Sequence, residues 1–145
     1  MRFLGFNFIR INARTDAEPK IGKIGTNIDF VDVTKEKVSA LNNLEVLKIL
    51  FKFTIDYNNI DEKKKDPAAQ LSFEGTILFS SSDEEMKPIL KGWKKKDLPE
   101  EFRIALTNLI LRKCSVKALS LEEELGLPPH FPFPYHLPKG NQQKK

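Results

Sequence analysis

His130, His136 and Cys114 are the residues best suited to metal or nucleophilic chemistry in this chain, which has two histidines and one cysteine. The histidines sit six positions apart in a proline-rich stretch. In an extended segment rising ~3.3 Å per residue they stand ~20 Å apart, too far to share a metal ion. Cys114 follows Arg112 and Lys113, cations that can lower a thiol pKa and make a nucleophile. A buried structural cysteine is the commoner arrangement, and it is the one expected here. Glu122-Glu123-Glu124 reads as a solvated helix face. There is no Gly-rich phosphate loop, no Gly-x-Ser-x-Gly and no Cys/His set at metal spacing. The expectation is a protein that is not an enzyme and takes neither cofactor nor metal.

Charge leaves a second class open. Lys63-Lys64-Lys65, Lys94-Lys95-Lys96 and a lysine-rich end contribute to a net charge of +4 and a pI near 9.1. Such a balance concerns solubility and weak attraction to polyanions, not the fold. With one cysteine, no internal disulfide can form, which fits a reducing compartment. No apolar run approaches the ~20 residues of a membrane span. Arg10, between Ile9 and Ile11, puts a charge where a signal core should be apolar, so the chain is expected in the cytoplasm with no membrane insertion.

The elements that would position any site are organised around Val46–Ser80. Leu47, Ile49, Phe51, Phe53, Ile55 and Tyr57 alternate with Lys48, Lys52, Thr54 and Asp56. Leu71, Phe73, Gly75, Ile77 and Phe79 alternate with Gln70, Ser72, Glu74, Thr76 and Ser80. A period of two is that of half-buried strands, and the turn residues between the runs make them an antiparallel pair. Residues 3–14 and 23–34 read as two earlier strands. Their apolar parity switches between Phe8 and Ile9 and again near Phe30-Val31, which predicts a bulge at each point. Residues 35–43 read as a connection.

Ser82 with Glu85 has the capping-box pattern, and Met86, Ile89, Leu90 and Trp93 follow at helical spacing. A second helix is expected from Asp97, with Asp97 capping and Pro99 in the first turn. Its stripe of Phe102, Ala105, Leu106, Leu109 and Ile110 rotates onto Cys114, Ala118, Leu121 and Leu125, with a break possible at 113–117. Gly126 closes it. From Leu127 to Pro138 five prolines exclude helix and interior strand, yet Phe131, Phe133, Tyr135 and Leu137 recur at period two. That pattern suits a segment extended along an apolar surface. The expected organisation is one α+β domain over 1–138, with a four-stranded antiparallel sheet, two C-terminal helices on one face and an extended tail. Residues 139–145 are expected to be disordered.

The polar sheet face shows Lys48, Lys52, Ser72, Glu74 and Thr76 and no aromatic, unlike a base-stacking platform. A basic nucleic-acid-binding protein is therefore the alternative. Peptide binding or self-assembly accounts for more of the apolar surface, including Val46, Leu50 and Leu78 on the otherwise polar sheet face.

The order of motifs resembles the SecB-type chaperones and their SecB-like relatives. Glu45 to Ile55 looks like that family's third strand. A short helix around Met86–Trp93 and a long helix from Pro99 follow, and Leu127-Pro128-Pro129-His130-Phe131-Pro132-Phe133-Pro134 is similar to the proline-containing segment after SecB's long helix. The resemblance covers about residues 3–137. It implies a homotetramer built as a dimer of dimers, with the long helices packed between dimers. It also implies apolar grooves that hold unfolded polypeptide clients without ATP. The groove candidates are Leu127, Phe131, Phe133 and Tyr135, with Trp93 and Phe102. Two features depart from the pattern. SecB proteins are acidic and this chain is basic, and SecB has a further C-terminal helix where this chain has a lysine-rich tail. Holdase activity is implied, without docking to the SecA motor.

Overall fold

A computed structural model describes residues 1–42 and 44–132. The strands β1 (Arg2–Thr15), β2 (Ile21–Val38), β3 (Leu44–Asn59) and β4 (Ala69–Ser80) precede helices α1 (Asp83–Lys94) and α2 (Glu100–Leu125). The strands form one antiparallel sheet in the order β1-β4-β3-β2, so the two strands with the strictest alternation occupy its centre. This is the α+β arrangement the sequence predicts.

The alternation becomes two chemically different faces. Leu47, Ile49, Phe51, Phe53, Ile55 and Tyr57 of β3 are fully buried, together with Leu71, Phe73 and Ile77 of β4. Met86 and Ile89 of α1 and Leu106, Ile110, Cys114 and Ala118 of α2 complete the core. Burying a large apolar side chain contributes about 2–3 kcal/mol, so this one layer dominates stability.

Both predicted bulges are present. The register slips between Phe8 and Arg10 on β1 and between Phe30 and Asp32 on β2. They fall at one level, because Phe8 pairs with Gly75, Gly75 with Phe51 and Phe51 with Phe30. Gly75 has a steric role there. A Cβ on it would lie 2.5 Å from the Asn7 carbonyl oxygen and 2.8 Å from the Phe51 ring. Without one, Phe51 lies over β4 and its ring reaches Phe6 of β1 at 5.2 Å between centroids.

Three expectations differ from the structure. Lys35, Glu36 and Lys37 belong to β2 rather than to a connection, pairing with Leu47, Val46 and Glu45. Lys35 Nζ sits 2.9 Å from Glu45 and 2.8 Å from Asp83 at the start of α1, so ion pairs extend the strand where hydrophobicity does not. Next, α2 begins at Glu100, not Asp97, and has no side-chain cap. The Asp97 amide instead donates to the Gly92 carbonyl at 2.9 Å, in a turn that buries Leu98. Finally, α2 runs unbroken for 26 residues through 113–117. At α1 the expected cap is found, with Ser82 Oγ accepting from the Glu85 amide at 3.2 Å.

Candidate functional site

The polar chemistry of the interior gathers where α2 ends. Every fourth residue of α2 from Leu106 onward is buried: Leu106, Ile110, Cys114, Ala118 and then Glu122. Four residues advance a helix by 400°, so the stripe winds slowly and carries Glu122 onto the sheet. Glu122 is therefore not on a solvated face as expected, but is 2% exposed. A buried carboxylate needs partners. Tyr57 of β3 donates its phenolic hydrogen to Glu122 Oε2, and His130 Nδ1 lies 3.0 Å from Glu122 Oε1. The other ring nitrogen, Nε2, lies 3.2 Å from Ser115 Oγ. Each polar atom has a partner when the imidazole donates from Nδ1 and accepts from the serine hydroxyl. Burial and the Glu122 carboxylate together push the Tyr57 pKa well above the ordinary phenol range.

This cluster fixes the path of the chain after α2. Gly126 adopts φ 68°, and the Leu127 amide donates to the Glu122 carbonyl at 2.8 Å. That is the turn glycine permits at a helix end. Leu127 then enters the core, and the segment runs back along the helix until His130 meets Ser115. Between helix and returning segment lies a groove of about 420 Å³ lined by Leu119, Ser120, Glu123, Leu127 and Pro129. Phe131 follows at the surface, its ring edge-on to His130 at 4.8 Å.

The four sequence candidates among the described residues lie at different places in the fold. Leu127 is buried, and its own core occupies it. Phe102 packs edge-on against Phe79 at the start of α2, at 5.7 Å. Twenty residues separate it from Glu122, about 30 Å along a helix. Trp93 is half-buried against the core on α1, with Lys96 Nζ 4.0 Å above its ring. Phe133 and Tyr135 lie outside the described residues, as does the 139–145 segment. Helix α2 also leaves Ile104, Leu111 and Val116 exposed, Val116 by 70%.

One solved structure is similar over most of its length. It is a SecB-like chaperone of Mycobacterium tuberculosis in complex with a ChAD peptide from the HigA1 antitoxin. The similarity has a TM-score of 0.49 and 18% identity, over 94% of this chain and 91% of that one. No protein-family model matches the chain, and no curated protein matches it.

The other chemical candidates resolve simply. Cys114 is buried among apolar groups, and burial pushes its thiol up to about 12, where it is a poor nucleophile. Among the described residues no helix is long and apolar enough to cross a membrane. Sequence reading missed the Tyr57–Glu122–His130–Ser115 cluster. One signal was available: Glu122 continues the four-residue spacing of Leu106, Ile110, Cys114 and Ala118.

Proposed function

We propose that this chain is an ATP-independent holdase that binds non-native polypeptide through apolar surface along α2 and the segment that follows it. The supporting observation is that α2 carries apolar side chains away from its buried stripe. Ile104, Leu111 and Val116 are exposed although the helix already fills one side of the sheet, and Phe131 joins them at the surface. Contiguous exposed apolar area marks surfaces for other chains, and Ile104 and Leu111, seven residues apart, fall on one side of the helix. Non-native polypeptide offers aliphatic and aromatic side chains that such a surface accepts without chemistry. In this reading Phe131 supplies one contact, and Phe133 and Tyr135 supply the next two at the same spacing. The working form is a homotetramer, a dimer of dimers with long helices between the dimers, acting in the cytoplasm.

The test is suppression of aggregation of a chemically denatured client by the full chain, with no nucleotide present. Changing Phe131, Phe133 and Tyr135 together to Ser abolishes suppression while the circular dichroism spectrum stays that of the unaltered chain. Suppression that survives the triple change rejects the assigned contacts. Absence of suppression by the unaltered chain rejects the function.

A further inference from the structure

The face of the sheet turned away from the helices holds the other half of the alternation, and two of its cross-strand rows carry charge in a self-complementary order. Arg10 pairs with Glu74, Glu74 with Lys52, and Lys52 with Asp29. Residues directly opposite in neighbouring strands share a face. These four therefore form one row across β1-β4-β3-β2 with signs plus, minus, plus, minus. A half-turn about an axis along the strands places β1 of one copy over β2 of a second, and β4 over β3. Arg10 then meets Asp29 of the second copy, and Glu74 meets Lys52. The end row carries opposite charges at its two ends. Arg2, Ser80, Val46 and Glu36 are successive partners, and the half-turn sets Arg2 against Glu36.

Between these charged rows the bulges set apolar side chains among Asp32, Thr34, Lys48 and Thr76. Ile9 and Val31 are the extra residues of the two bulges and are 62% and 49% exposed. Leu50 lies between them, with hollows of about 220 and 210 Å³ that both touch Ile9 and Leu50. The same half-turn that matches the charges lays Ile9 over Val31 of the second copy.

We propose that this sheet face docks on the same face of a second copy of the chain, related by a twofold axis along the strands. A twofold contact must be self-complementary, and alternating charge across the four strands meets that condition. Four strands at ~4.8 Å spacing and about ten rows at ~3.3 Å present roughly 600 Å² per copy, near the ~800 Å² per partner of a specific interface. Arg10 and Asp29 are on edge strands, at the rim, where their pairing steers association and stays sensitive to salt. The contact uses the opposite side of the sheet from α2, so it leaves uncovered the apolar side chains assigned to client binding.

Light scattering on the full chain tests it, at low ionic strength and at about 1 M salt, where screening acts within about 3 Å. The mass at low salt is twice that at high salt. Arg10→Glu and Asp29→Arg each place like charges across the axis and remove the doubling. Mixing the two variants in equal amounts restores it, because each supplies the charge the other lacks. Both positions are exposed edge-strand sites, and recovery in the mixture shows that both variants are folded. Ile9→Lys, which leaves the charged row intact, also removes the doubling. A mass that is equal at both ionic strengths overturns the proposal, as does a mixture that stays at the mass of the single variants.

Discussion

Tyr57 and Glu122 stand 65 positions apart, and inside the protein the hydroxyl of the first donates to the carboxylate of the second. This contact ties the central strand to the last turn of α2 and, through His130, to the segment beyond it. Removing a hydrogen bond to a buried charge costs about 1.5–3 kcal/mol. Tyr57→Phe and His130→Ala are each expected to lower the urea midpoint by that amount of stability. The double variant is expected to depart from additivity by at least about 0.5 kcal/mol, since both residues hold one carboxylate. Additive losses would show that the two contacts act separately.

Gly75 is expected to tolerate no side chain. In Gly75→Ala the new methyl meets backbone on one side and the Phe51 ring on the other, at 2.5 and 2.8 Å. Phe51 is fully buried and the Asn7 carbonyl belongs to a paired strand, so neither yields cheaply. Overpacking of this kind costs about 1–3 kcal/mol, readable as a lower melting temperature. Gly5→Ala is the control, because nothing lies within 4 Å of a Cβ there.

At Gly126 the cost is conformational. Its φ of 68° is the left-handed region, which an alanine enters at about 1–2 kcal/mol. Open space surrounds the position, so Gly126→Ala changes backbone preference without a clash. The expected result is a loss of that size in chemical denaturation, with faster amide exchange at Leu127, whose amide closes the turn. Unchanged exchange there would mean that the turn does not depend on glycine.

Alkaline pH should destabilise the fold through Cys114 and Tyr57. Burial raises the Cys114 thiol to about 12, and burial with the Glu122 contact raises Tyr57 above the phenol range. The unfolded chain releases these protons near 8.5 and about 10. Stability from both groups is therefore complete below about pH 8.5. It falls as pH rises, by up to about 1.4 kcal/mol per pH unit for each group while the folded state alone keeps the proton. Cys114→Ala flattens the stability curve between pH 9 and 12, and Tyr57→Phe flattens it above pH 10. Parallel curves for variant and unaltered chain would remove the assignment.

Much of this fold is legible in the amino-acid sequence by itself. Strict alternation in 46–57 and 70–80 specifies two half-buried strands, because period two is a direct consequence of the pleat. The parity switches at Phe8-Ile9 and Phe30-Val31 specify the bulges for the same reason. Ser82 and Gly126 mark helix ends through local hydrogen bonding and backbone freedom, which need no distant partner. What depends on distant partners is not legible in that way. Lys35 extends β2 because Glu45 and Asp83 meet it in space. Asp97 loses its expected cap because Leu98 is drawn into the core and the chain turns on Gly92. The candidate surface divides in the same way. Trp93, Phe102, Leu127 and Phe131 group by apolar character, which sequence reports. Their separation, with Trp93 on α1, Phe102 near the start of α2 and Leu127 and Phe131 beyond its end, and the burial of Leu127, follow from where the helices lie on the sheet. Glu122 is the sharpest case. Its charge is written in the sequence, but only the winding of α2 over Tyr57 and the return of His130 make it an interior group, since burial belongs to the packed molecule and not to the residue.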